Sequence, residues 1–277
     1  MPVIAMTQEM GSLAKDVSEL LAKEMGLELM KHEMVDHLAT HMSMTKSAIR
    51  RVREGKAGLL ERISVDERSL AVYTAQEVLT LAEKGNIILR GWGATCLLRP
   101  VSHVVSVRIT RPLKQRVEWV AEHLETDDLE FAESEVRRSD EAHAARMHAQ
   151  FGVAWGSPLL YDLVLNMERL SMESCVAQIR LLVGRPEFQE TPQSRSMLAN
   201  MTLEAHVRAA LKDHASTRDL RILIEAQDGM IKLSGIVLRE EERSDAERLV
   251  SGLTGVRGVD SHLRLMMNSK RFTSAKY

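Results

Sequence analysis

Between Met6 and Lys15 the chain reads MTQEMGSLAK, which sets Gly11 and Ser12 just ahead of the basic Lys15. An apolar run at Pro2–Thr7 precedes this stretch, and a helical pattern with Val17, Leu20, Leu21 and Met25 follows it. A strand that turns at a glycine into a helix N-terminus is suited to holding a phosphate. The helix end offers unpaired N–H groups and a positive dipole end, and glycine lets the backbone come close. The pattern is equally that of an ordinary βα turn, and no G-x-x-x-x-G-K-[ST] occurs anywhere in the chain. A second turn, Arg90-Gly91-Trp92-Gly93, combines a guanidinium, two glycines and an aromatic ring. His37 and His41, with His32 five residues before them, could share a helix face. The pattern supplies no third ligand, so no metal site is expected. Cys96 and Cys175 are isolated, and they read as buried free thiols of a reducing compartment.

The elements that must position these residues alternate. Strands are expected at 2–7, 86–90, 103–109 and 161–166, with helices between them, as in a parallel α/β sheet with crossover helices. Ligands in such sheets sit at the carboxyl ends of the strands. Gly11, Gly91, Trp92, Gly93 and Arg111 would all lie at that edge. Gly26–Leu29 reads as a short link, with helices following over His32–Met42 and Lys46–Gly58. Residues 66–84 form a strong amphipathic helix that Asp66 can cap. Residues 127–150 read as one long exposed helix, and Ser171–Val183 as another. Residues 186–199 have two prolines and no periodicity, and are expected to be a linker. From 200 to 267 the order is αββαβ, with Asp228-Gly229 as a tight hairpin turn. Residues 268–277 are expected to be a loose tail.

At 277 residues, 44% apolar and 27% charged, the chain can bury full cores and divides naturally into two domains. Aromatics are only 4%, so aliphatic residues and the sixteen methionines, Met34, Met42 and Met44 among them, must fill those cores. The formal net charge of −2 lacks the basic excess of a nucleic-acid binder, so no nucleic-acid partner is expected. There is neither a signal-peptide pattern nor an apolar run long enough to span a membrane, and the expected compartment is the cytoplasm.

Five segments, in order, resemble the cytidylate kinase-like family: VIAMTQEMGSLAKDVSELLAKEMGLEL, GNIILRGWGATCLLR, HVVSVRITRPLKQRVEWV, RRSDEAHAARMHAQFGVAW and YDLVLNMERLS. The resemblance covers residues 3–185 and implies a P-loop-type parallel sheet, domain boundaries near 1–185, ATP and Mg²⁺ as cofactors, and phosphoryl transfer to CMP or a related nucleoside monophosphate. It places Gly11, Ser12 and Lys15 at the donor's phosphates. Arg90, Gly91, Trp92, Gly93 and Asp162 fall at the acceptor, Asp162 either orienting an arginine or serving only its strand. Lys15, Arg137, Arg138 and Asp140 fall at charge-bearing catalytic positions, with Asp140 expected to pair with lid arginines. Residues 200–267 resemble a BON domain, through DGMIKLSGIV and LTGVRGVDSHLRL, which implies a small binding module of unidentified ligand.

The sequence departs from the family pattern where charge matters. The turn should continue Gly-Ser-Gly-Gly, but Leu13 and Ala14 stand at the last two places. If those places need positive φ, both residues are strained. Trp92 replaces the arginine of a Gly-Arg-Gly turn, and His143 stands at the lid arginine. Neither brings a bidentate cation, although Arg90 could stand in for the first and Arg137, Arg138 and Arg146 could partly compensate for the second. The expectation is a nucleotide binder with impaired transfer; the alternative is a non-catalytic sensor or scaffold acting through the BON domain.

Overall fold

The computed structural model describes residues 1–30, 33–53, 56 and 66–266. It divides into two compact units, Met1–Leu198 and Ala199–Tyr277.

The first unit is built on a parallel five-stranded sheet of order β2-β3-β1-β4-β5. Its strands are β1 (Val3–Gln8), β2 (Glu28–Leu29), β3 (Ile87–Arg90), β4 (Val104–Thr110) and β5 (Leu163–Asn166). β1 is central and pairs with β3 on one side and β4 on the other. Its first five residues are buried, as a strand covered on both faces requires. The link expected at 26–29 contributes the short edge strand β2, which pairs with Ile87 and Ile88.

Helices α1 (Ala14–Met25) and α8 (Met172–Val183) pack together over one face of the sheet. Val17 and Leu21 of α1 join Val176 and Ile179 of α8 in a core with Ile4, Met6, Ile88, Val105 and Ile109. α4 (Glu67–Lys84) also packs on β3, and α2 (Glu33–Met42) packs on α4. Asp66 caps α4 as expected, accepting from the Arg68 N–H at 3.1 Å. α2 is followed by α3 (Lys46–Arg53); His32, Gly58 and the tail expected at 268–277 lie outside the described residues. Met34 is fully buried, while Met42 and Met44 are half-buried. Cys175 is buried, but Cys96, on the short helix α5 (Ala94–Leu97), is only half-buried because that helix lies on the rim of the sheet.

α6 (Leu113–His123) and α7 (Leu129–Phe151) form an antiparallel pair after β4. The expectation of a wholly exposed helix at 127–150 is corrected here. Ala132, Val136 and Met147 are buried, and the first two pack with Val117 and Val120 of α6.

Residues 186–199 are also more ordered than a linker. They begin with a 3₁₀ turn at Pro186–Phe188, and helix α9 (Pro192–Asp213) starts at the second proline, where a missing N–H costs nothing. Ser194 secures that start by accepting from the Thr191 N–H at 3.0 Å, and its hydroxyl lies 2.7 Å from Nδ1 of buried His103.

In the second unit, β6 (Ile222–Gln227) and β7 (Met230–Val237) form an antiparallel hairpin, and α10 (Glu240–Ser251) crosses over to β8 (Gly258–Leu265), parallel to β7. Strict alternation puts Ile222, Ile224, Ile231 and Leu233 against Val207, Leu211, Ala246 and Val250. Asp228 and Gly229 both have positive φ, 48° and 85°, the geometry of a two-residue hairpin loop that follows the strand twist. A Cβ at Gly229 would lie 3.0 Å from the Gly255 carbonyl oxygen. Gly229→Ala is therefore expected to destabilise the hairpin by about 1–2 kcal/mol. Faster hydrogen exchange at the Ile224 and Leu233 amides would register the loss.

Candidate nucleotide site

All three expected turn segments lie at the carboxyl edge of the parallel sheet, because β1, β3 and β4 run the same way and end there. After Gln8 the chain turns through residues 9–13 into α1. Gly11 has φ 75°, and a Cβ there would lie 2.8 Å from the Arg116 carbonyl oxygen, so a side chain is excluded on two grounds. Leu13 is the N-cap of α1, with φ 62°, and Ala14 is the first helical residue. The strain expected at both positions thus falls on Leu13 alone.

Leu13 gives α1 no side-chain cap. The first N–H groups of the helix have no intrahelical acceptor either. Beside them the Ser12 hydroxyl is buried, at 1% exposure, with no hydrogen-bond partner among the described residues. An uncapped helix end next to an orphaned buried hydroxyl fits a multi-oxygen anion such as a nucleotide phosphate. Lys15 is on the solvent side of α1, 66% exposed, with its ammonium 4.0 Å from Glu19.

The second turn follows β3. Arg90 is opposite Met6 in register, and its Nη1 donates to Gln8 Oε1 at 2.9 Å. Burial pulls the Arg90 guanidinium pKa down, opposed by the charges of Glu19 and Asp16. Gly91, Trp92 and Gly93 all take positive φ, at 82°, 57° and 71°. For tryptophan that backbone costs on the order of 1–2 kcal/mol, and strain held at such an edge points toward function.

Trp92 and Gly93 line a cavity of about 650 Å³ whose other walls come from α3, α4 and α7 and include Val52, Glu67, Arg68, His143 and Arg146. The volume is that of a small-molecule site. The His143 ring is 4.4 Å from the Trp155 ring, tilted by 32°. Arg146 donates to the Val52 carbonyl at 3.2 Å; burial lowers its pKa, with Glu67 acting in the opposite sense. Trp92 and His143, the two departures from the family's arginines, therefore share one cavity, and Arg146 shares it with them.

The remaining expected residues lie elsewhere. Arg137 pairs with Glu133 at 2.6 Å on the exposed side of α7, and Arg138 pairs with Glu135. Both are intrahelical pairs at i,i+4 and i,i+3 spacing. Asp140 does not pair with them, contrary to expectation. It meets Arg116 of α6, Nη2 to Oδ2 at 2.8 Å and Nη1 to Oδ1 at 3.2 Å, because helix periodicity turns Asp140 toward α6. Asp162 accepts from the Ser106 N–H at 2.7 Å and hydroxyl at 2.6 Å, which fastens the start of β5 to β4. Arg111 donates to Gln115 at 2.9 Å, in the first turn of α6 that follows it.

Sequence reasoning missed a charge network behind the turn. Glu9 accepts from Arg108 Nη2 at 2.7 Å, from the Thr110 hydroxyl and from the Arg111 N–H at 3.3 Å. Arg116 Nε lies 3.7 Å from the same carboxylate. The Arg108 guanidinium sits 4.2 Å over the Trp155 ring and donates to the Trp155 carbonyl at 3.0 Å. Trp155 donates to the Thr7 hydroxyl, and Tyr161 to the Trp155 carbonyl, at 3.0 and 2.7 Å. Burial raises the Tyr161 pKa, which Arg108 partly offsets. One signal was available: an arginine inside the apolar run HVVSVRI must find a buried partner.

A strand–turn–helix with an open helix end, and beside it a cavity roofed by a long helix, define a kinase-like nucleotide-binding unit. The sequence model of the cytidylate kinase-like family matches residues 3–169, and that of the BON domain matches residues 201–267. The chain belongs to the cytidylate kinase-like family and carries a BON domain after it. The five-stranded parallel sheet with flanking helices is the P-loop kinase architecture. A crystal structure of a protein from Eubacterium ventriosum shares the fold at TM-score 0.53 and 17% identity, over 67% of this chain and 100% of that one. Shikimate kinases from Bacteroides thetaiotaomicron and Acinetobacter baumannii, the latter in complex with shikimate, align with 15% and 12% identity. Their TM-scores are 0.39 and 0.40, over 66% of this chain in both cases and 99% and 93% of theirs. No curated protein matches the chain significantly. Among the described residues no group of three or more His, Cys, Asp or Glu is placed to hold a metal ion, and no helix is long and apolar enough to cross a membrane.

Removing the Glu9 charge would leave buried Arg108 without its carboxylate. Glu9→Gln is expected to lower stability by about 3 kcal/mol, measurable by chemical denaturation.

Proposed function

We propose that residues 1–185 bind a nucleotide at the β1–α1 turn, take a nucleoside monophosphate into the Trp92–His143 cavity, and transfer a phosphoryl group between them slowly. The observation that carries this reading is the pairing of an open, glycine-dependent α1 N-terminus with an adjoining cavity in which Trp92 and His143 replace arginines. The first feature is suited to anchoring phosphates. The second withholds cations from the transferring group.

Phosphoryl transfer asks a protein for positioning and for charge that meets the three equatorial oxygens. Gly11, Ser12 and the first amides of α1 would hold the donor's phosphates, and Mg²⁺ bound with them would neutralise charge. Arg90 is the guanidinium at the second turn, and Arg68 and Arg146 are those of the cavity wall. Arg137 and Arg138 would reach the site only by leaving Glu133 and Glu135. Lys15 would have to swing inward from solvent. Arg108 and Arg116 are already matched by Glu9 and Asp140. The supply of uncommitted positive charge is therefore small, and binding without efficient turnover follows. BON-domain recruitment by a non-catalytic nucleotide sensor is the second reading, favoured by the same shortage of charge.

The expected result is thermal stabilisation by ATP and by at least one of CMP, dCMP, UMP and AMP. Turnover, measured as ADP release with Mg²⁺, should lie well below the range of about 1–100 s⁻¹ usual for kinases. Rates inside that range would refute the impaired site; folded protein that no nucleotide stabilises would refute nucleotide binding. Trp92→Arg combined with His143→Arg is expected to tighten nucleoside monophosphate binding about tenfold or more, as a charge-assisted bidentate contact would. Titration calorimetry with CMP measures that gain.

A further inference from the structure

Arg116 touches both halves of the proposed site. From the first turn of α6, its Nη1 donates to the Met10 carbonyl of the phosphate turn at 3.3 Å, and its own carbonyl packs where a Gly11 Cβ would be. The same guanidinium holds Asp140 of α7 through both Nη atoms, at 3.2 and 2.8 Å. Three residues after Asp140 comes His143, and three after that Arg146, and both line the cavity. Residues at that spacing are neighbours on a helix. A continuous chain of contacts thus runs from Met10–Gly11 through Arg116 and Asp140 to the cavity wall.

This clip has slack. The Arg116 Nε is buried without a hydrogen-bond partner, and the nearest carboxylate oxygen, Glu9 Oε2, is 3.7 Å away. A shift of about half an ångström in the guanidinium would close that gap to a hydrogen bond. Because Arg116 is only 6% exposed, water does not absorb such a shift, and the guanidinium carries Asp140 with it. Glu9 is itself fixed to β4 by Arg108 and Thr110, so the movable parts are Met10–Gly11 beyond it, the Arg116 side chain and α7.

We infer that Arg116 is a positioning residue that couples the phosphate turn to the acceptor cavity, so that occupancy of either site raises affinity at the other. The inference rests on the nucleotide-binding reading above. Coupling of this kind is reciprocal and amounts to roughly a 5- to 150-fold change in affinity. Lysine at position 116 would keep the positive charge but lose the fork that grips Met10 and Asp140 together.

The test measures CMP dissociation constants by calorimetry on the full chain, with and without saturating ADP. Wild type is expected to bind CMP at least fivefold more tightly with ADP present, and Arg116→Lys to bring that ratio within twofold of one. A purely structural Arg116 would lower the melting temperature of the variant and leave the ratio intact, and that outcome overturns the inference. Asp140→Asn, close to isosteric, repeats the ratio test should the lysine variant fail to fold. Wild type supplies a check of its own: ADP must slow amide exchange around Asp140 in α7, and unchanged exchange in ADP-bound protein overturns the coupling. ADP and CMP binding with a wild-type ratio of one overturns the coupling alone, whereas failure of wild type to bind either nucleotide overturns the nucleotide reading together with it.

Discussion

Two guanidiniums, those of Arg108 and Arg116, are buried behind the first turn, and much of the edge of the sheet is arranged to satisfy them. Removing such an ion from water costs several kcal/mol unless a carboxylate and further hydrogen bonds replace the solvent. Glu9 answers that need from the turn and Asp140 from α7, while the Trp155 ring and carbonyl complete the shell of Arg108. Because the arginines come from β4 and α6 and their partners from β1's turn, α7 and the loop at Trp155, the electrostatic requirement also fixes how those elements meet. The turn is held from below by charge, which leaves its upper side, with the α1 amides and Ser12, open to a ligand.

The cost of this edge is concentrated in two non-glycine residues. Leu13 and Trp92 both hold a left-handed backbone, one at each of the two neighbouring turns. Leu13 recovers part of that cost by packing partly buried against the core of the first unit. Trp92 places its ring at a cavity whose other walls come from α3, α4 and α7. An aromatic there favours planar, weakly solvated ligand surface, where an arginine would favour phosphate oxygens.

The second unit follows simpler rules. Alternation along β6 and β7 puts every second side chain into one small core, and the Asp228-Gly229 loop sets the register between them. A one-residue slip would turn Ile231 and Leu233 outward, so the short loop matters out of proportion to its size.

What could be read from the chain alone was whatever local pattern controls. Apolar runs of strand length, 3.6-residue periodicity and glycine at turns located β1, β3, β4, α1, α4 and the αββαβ unit, because propensity and burial act within a few residues of each other. The same logic put Gly11 and the Gly91–Gly93 turn at one edge, and the resemblance to the cytidylate kinase-like family marked Leu13, Ala14, Trp92 and His143 as departures from its pattern. Pairings across the fold were beyond its reach. Nothing local tells that Asp140 would turn to Arg116 rather than to Arg137 or Arg138, or that Glu9 would serve Arg108 from 99 residues away in sequence. Nor could it show that Arg146, and not Arg137 or Arg138, would line the cavity, or that Leu13 alone would bear the strain shared in prospect with Ala14. Those outcomes depend on which buried charges face each other once the sheet closes. That is a long-range electrostatic and packing condition, and only the tertiary structure decides it.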